Sequence, residues 1–98
     1  MAAYRLTREA DGDLAGIHEY TIGNFGLQQA RNYLSGLLQC FEYLGEYPEA
    51  GPRVEQLATG LRRYPYRSHT VFYAPQDRGV LIVRILHDRM DATRHFVE

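Results

Sequence analysis

Proton-transfer chemistry in this chain can fall only on histidine, cysteine, tyrosine or a carboxylate, because lysine is absent and arginine stays protonated in proteins. The histidines are His18, His69, His87 and His95, and Cys40 is the single thiol. The reaction to weigh first is cleavage of an RNA phosphodiester, which needs a base for the 2′-hydroxyl, an acid for the leaving oxygen and cations for the phosphate. Arg84 with His87 is the nearest candidate pair, but their odd separation puts them on opposite faces of a regular strand. Only a bulge or an early strand end would unite them, which counts against a nuclease. No catalytic residue is therefore expected.

Other chemistries find less support. The histidines fall in different elements, without the helical or hairpin spacing that gathers metal ligands, so no metal site is expected. One cysteine cannot build a disulfide framework or a thiolate zinc site. Cys40 lies between the apolar positions of an amphipathic helix and reads as a small buried hydrophobe. No glycine-rich loop leads from a strand into a helix and there is no nucleophile elbow, so no cofactor is expected either.

Charge is unevenly distributed. Residues 1–60 carry four arginines against eight acids, whereas residues 61–98 carry seven arginines against four acids. The chain is a dipole whose basic end is a candidate surface for an acidic partner. With 98 residues, 45% of them hydrophobic, it forms one domain over 1–98 with one core. Its longest apolar run, Val80-Leu81-Ile82-Val83, falls far short of the ~20 residues of a membrane span, and the N-terminus lacks a signal-peptide core. A soluble cytoplasmic protein without membrane contact is expected.

The elements follow from periodicity. Tyr4 to Thr7 reads as a short strand, with Thr7 also able to cap a helix. Leu14, Ile17, His18, Thr21, Ile22 and Phe25 then mark one face of a helix that Gly23-Asn24 should end. Gly12 and Gly16 inside it each cost up to ~1 kcal/mol relative to alanine, so its stability must come from packing, and a partner would help. A second helix carries Leu27, Ala30, Tyr33, Leu34, Leu37, Leu38, Phe41 and Leu44 until Tyr47-Pro48 stops it, giving an antiparallel hairpin. A turn-rich connection follows, and then three strands near 61–65, 69–74 and 80–86; Pro65 makes the first of them an edge. A short helix at about 91–96 closes an α+β order β-α-α-β-β-β(-α), with the helical hairpin on one face of a small, mostly antiparallel sheet.

Alternation on the last strand assigns Leu81, Val83, Ile85 and His87 to the helix-covered face. Val80, Ile82, Arg84 and Leu86 are left on the other, an apolar patch holding an arginine, which suggests a docking groove. Arg62 and Arg63 must point to opposite faces, so one of them joins Arg84. The eight tyrosines, among them Tyr64, Tyr66 and Tyr73, fill core gaps or stack on a partner.

These ordered pieces resemble the ParE/RelE superfamily of bacterial type II toxins over nearly the whole chain, about Tyr4 to Phe96. Diffuse features carry the front half: Tyr4-Arg5-Leu6-Thr7, Ala10, Asp13-Leu14, Ile17, Tyr20, Ala30, Tyr33, Leu37, Leu44, Pro48 and Gly51. A more specific block, Val83 to His95, is similar to the C-terminal end of the ParE branch, and Ser68 to Tyr73 resembles the strand before it. The resemblance implies a toxin of a plasmid-stabilisation module that inhibits DNA gyrase by binding. It further implies neutralisation by a ParD-like ribbon-helix-helix antitoxin, through which alone the chain would meet operator DNA. Gyrase contact is expected at Arg84, His87, Arg89, Met90 and Arg94. Antitoxin contact is expected on the sheet face or the helical hairpin, at Leu14, Ile17, Arg62, Arg63, Arg67, Val80, Ile82, Arg84 and Leu86. The alternatives are a RelE-like ribosome-dependent endoribonuclease, whose lysine-rich cluster is missing here, and an inactive antitoxin-binding module.

Overall fold

Thr7 starts the first helix as its sequence promised: its Oγ1 accepts the Ala10 N–H at 3.0 Å, satisfying one of the amides that a helix start leaves unpaired. The computed structural model describes residues 3–96, with β1 at Tyr4–Leu6, α1 at Arg8–Phe25 and α2 at Leu27–Glu46. Beyond them come β2 at Arg62–Tyr66, β3 at His69–Pro75, β4 at Val80–His87 and α3 at Ala92–Phe96. No helix among the described residues is long and apolar enough to cross a membrane.

Helix α1 does not end at Gly23-Asn24 as expected. It continues to Phe25, and Gly26, at φ 91°, makes the whole connection: its N–H returns to Ile22 O and its carbonyl accepts Ala30 N of α2. A left-handed backbone is needed only there, and glycine adopts it without a Cβ clash. Helix α2 buries Ala30, Leu37, Cys40, Phe41 and Leu44, while Gly36 admits the Tyr66 phenol where a Cβ would overlap it.

The sheet order is β1-β4-β3-β2, with β1 parallel to β4 and the other pairs antiparallel. β2 is an edge, in keeping with Pro65. Its outer side is partly occupied by Pro52, whose carbonyl accepts Arg63 N, and by an Arg53–Arg62 bridge.

A bulge in β4 overturns the expected face assignment for Val80, Leu81 and Ile82 and leaves it standing for Arg84 to His87. Tyr73 pairs with Ile82 but Phe72 with Arg84, so Val83 is an extra residue and the alternation reverses across it. Val80, Ile82 and Ile85 therefore share the helix face, in a core with Leu37, Phe41, Leu44, Val71 and Tyr73. Leu86 lies on the other face in a second cluster with Val54, Leu61 and Phe72, flanked by Leu57, Val83, Ala92 and Phe96. Val80, Ile82 and Leu86 are only 1%, 0% and 2% exposed, so the apolar docking patch expected on them is absent. The connection at 47–61 and α3 cover that face instead. The final segment packs against the second cluster, its Phe96 ring 5.1 Å from that of Phe72.

Candidate functional site

Strand β1 stops at Leu6, paired with Ile82, and leaves the rest of β4 without a strand neighbour on that side. Side chains from the start of α1 take its place. Thr7 Oγ1 donates to Val83 O at 2.8 Å, and the Asp13 carboxylate accepts Ile85 N at 2.9 Å. The same carboxylate holds Arg84 by two bonds, from Nε at 2.7 Å and Nη2 at 2.8 Å. That fork raises the guanidinium pKa further above its already high value, first through the hydrogen bonds and then the charge of Asp13, against some burial. His95 Nδ1 lies 3.4 Å from Nη1. Arg84 therefore ties α1 and α3 to β4 and does not stand free in an open face.

Where β4 ends and β3 begins, the helical hairpin leaves a groove of about 1140 Å³. One wall is α1, with Gly12, Gly16, Tyr20 and Phe25, and the N-terminal half of α2 adds Tyr33. The floor and far wall are Ile85, His69 and His87, with Arg67, Ser68, Arg89 and Met90 at the mouth. No atom lies within 4 Å of where a Cβ on Gly12 or Gly16 would be, so the fold itself does not require those glycines. Tyr20, Phe25 and Met90 are exposed, leaving apolar surface in the groove.

His69 and His87 are register partners, with ring centroids 5.2 Å apart. Tyr33 Oη lies 2.7 Å from His69 Nδ1, and Arg89 N donates to His87 Nδ1 at 3.1 Å. Burial, followed by the neighbouring His87, lowers the pKa of His69 and favours its neutral form, while Asp88 and Asp13 act in the opposite sense. Arg67 occupies the β2–β3 turn at φ 52°, its guanidinium over the Tyr66 ring at 5.7 Å. Asp88 N donates to Ser68 O at 2.9 Å, binding the end of β4 to that turn and bringing Arg67 and Arg89 to one rim.

The expected gyrase contacts are dispersed: His87, Arg89 and Met90 line the groove, Arg84 is held by Asp13, and Arg94 is exposed on α3. Among the expected antitoxin contacts, Ile17 and Arg67 line the groove, and Leu14 packs against the core beneath it. Arg62 pairs with Tyr73 and so faces the helix side, where Nη1 donates to Gly51 O at 2.6 Å. Arg63, paired with Phe72, is the one that shares the Arg84 face. Sequence reasoning missed His69, Tyr33 and Phe25 as groove residues, although Gly12 and Gly16 had already suggested that a partner would help to pack α1. His18 lies half-buried between the two helices, its Nδ1 buried without a hydrogen-bond partner among the described residues. Burial pushes Cys40 up to about 11, as suits an inert thiol. No three His, Cys, Asp or Glu side chains among the described residues gather as metal ligands.

Comparison with known proteins places this geometry. A family model described as the ParE toxin of the type II toxin-antitoxin system parDE matches residues 4–92. The chain is similar to Toxin ParE1 of Caulobacter vibrioides, with 40% identity over 95 residues that cover 97% of this chain and 98% of that protein. Toxin ParE of Escherichia coli is 38% identical over 92 residues, covering 93% and 89% of the two chains. A solved structure, the chromosomal ParDE TA system from P. aeruginosa, superposes with a TM-score of 0.74 at 20% identity, covering 89% of this chain and 96% of that one, a likeness of fold. With the family model spanning nearly the whole length and two such relatives matched end to end, this chain belongs to the ParE toxin family of type II toxin-antitoxin systems.

Proposed function

We propose that this toxin inhibits DNA gyrase by binding, through the groove and its basic rim. In the same reading a ParD-like ribbon-helix-helix antitoxin neutralises it by laying an acidic, apolar-anchored segment in the groove. The observation that carries this is the groove's composition: exposed Tyr20, Phe25 and Met90 beside Arg67 and Arg89, neither of which forms a salt bridge among the described residues. Apolar surface with unpaired cations fits a segment that alternates hydrophobic anchors with carboxylates. The likeness to a ParDE TA system from P. aeruginosa supports an antitoxin partner. Binding would stabilise the toxin by mass action, so its melting midpoint should rise with antitoxin concentration.

One observation favours a second reading, ribosome-dependent cleavage of messenger RNA: His69 and His87 form a pair of titratable groups 5.2 Å apart beside two arginines. Against it, Tyr33 and the Arg89 amide already engage one nitrogen of each ring, and Arg84, paired with Phe72, faces away from His87. The test is direct. Purified toxin should trap cleaved DNA in a gyrase supercoiling reaction and leave ribosome-bound message intact; codon-dependent message cleavage with no effect on gyrase would reverse the order of the two readings.

A further inference from the structure

Three observations in the groove point to a phosphate-bearing ligand. First, among the described residues its charged lining residues are Asp13, Arg67 and Arg89, and the Asp13 carboxylate is already matched by the Arg84 fork. Arg67 and Arg89 therefore line the groove without a carboxylate partner among the described residues. Second, Arg67 is the one non-glycine residue with positive φ among the described residues, at 52°. A left-handed turn position favours glycine or asparagine, and the exposed Arg67 side chain there reaches only the ring of the preceding Tyr66. Third, the imidazoles keep Nε2 free of hydrogen bonds among the described residues. A backbone N–H can only donate, so the Arg89 amide makes His87 Nδ1 an acceptor and places the neutral ring's proton on Nε2. Tyr33 holds Nδ1 of His69, and no hydrogen bond among the described residues uses Nε2 of either ring.

Two cations with two imidazole edges suit the oxygens of a phosphodiester. Tyr20 and Phe25, 64% and 65% exposed on the α1 wall, add ring faces on which unpaired bases can stack. A duplex hides those base faces, so the combination selects a single strand. We propose that the groove is a binding site for an unpaired DNA strand, with Arg67, Arg89 and His87 on the backbone and Tyr20 and Phe25 against the bases. The choice of DNA over RNA rests on the gyrase reading, since gyrase opens DNA. An acidic antitoxin segment would then neutralise the toxin by taking the arginines that the phosphates require.

The experiment titrates the full chain into a fluorescein-labelled oligothymidylate of about ten nucleotides and reads anisotropy over a range of salt. Wild type should bind with an affinity that falls as salt rises. The double variant Arg67→Asn/Arg89→Gln keeps a residue tolerant of the left-handed turn. Its logarithmic salt slope should be shallower by about 1.4, at ~0.7 per phosphate contact, which amounts to about 25-fold weaker binding at ~0.1 M salt relative to 1 M. Tyr20→Ala/Phe25→Ala should weaken binding with the slope unchanged. Arg78→Gln, in the turn at the far end of the sheet, should alter neither, and matched melting midpoints show that each variant is folded. No salt-dependent binding by wild type, an unchanged double variant, equal affinity for duplex, or tighter binding of the matching RNA would each overturn the proposal. Gyrase poisoning by wild type that binds no oligonucleotide removes the strand site and leaves the gyrase reading standing. Oligonucleotide binding without gyrase poisoning does the reverse.

Discussion

Replacing Asp13 with alanine removes more than an ion pair. Its carboxylate accepts three hydrogen bonds, from Arg84 Nε and Nη2 and from Ile85 N, at 2.7, 2.8 and 2.9 Å. The Arg84 and Asp13 side chains are 19% and 15% exposed, so water can replace only part of what is lost. Breaking a fully buried pair costs about 3–5 kcal/mol and a bond to a charged group contributes about 1.5–3 kcal/mol. Partial exposure places Asp13→Ala at about 2–4 kcal/mol, a large share of the ~5–15 kcal/mol that holds a small domain together. The midpoint of thermal unfolding, followed by circular dichroism, should drop by about 10–25 °C. Arg84→Met leaves the Ile85 amide satisfied and should cost less, and the double variant should show a coupling of about 1–3 kcal/mol. A loss within about 0.5 kcal/mol of wild type, the range of ordinary surface substitutions, would refute the clamp. It would return Arg84 to the role of a free contact residue, whose removal changes partner affinity and not stability.

Gly12→Ala and Gly16→Ala should each stabilise the free toxin by up to ~1 kcal/mol in urea unfolding, because no atom opposes the new methyl group, and should weaken antitoxin binding in calorimetry. Tyr73→Phe should cost about 1–3 kcal/mol by the same unfolding assay, since its phenol accepts Gly51 N and donates to Pro48 O and the buried amide would be left alone. The folded state depresses the pKa of His69 below its ordinary 6.5, so the unfolded chain binds more protons there. Stability should therefore be highest above that value and fall as pH drops through it, and His69→Gln should flatten the profile.

Local rules made most of the fold legible. Thr7 caps α1, Pro48 follows the end of α2, and the edge position of β2 follows from a proline that donates no ladder bond. The faces of β4 before the bulge were not legible, because alternation assumes an uninterrupted ladder and the extra residue at Val83 leaves no mark on the hydrophobic pattern. The same slip hid the site. Pairing continued regularly from Pro75 and Val80 would set His69 opposite Leu86, whereas the bulge sets it opposite His87. Charge asymmetry pointed to the basic end, but it could not distinguish Arg84, consumed by Asp13, from Arg67 and Arg89, which have no carboxylate partner among the described residues. That distinction depends on a contact across 71 residues of sequence, which no local pattern encodes.

The measurement that bears most directly on the toxin's action is a gyrase supercoiling and cleavage assay with purified wild type, the Arg67→Asn/Arg89→Gln variant, and wild type preincubated with its antitoxin. Wild type should accumulate cleaved DNA, while the variant and the antitoxin-bound toxin should leave supercoiling unimpaired. Undiminished supercoiling in the presence of folded wild type, or poisoning that persists when the groove is filled by antitoxin, would contradict a gyrase inhibitor that works through this groove.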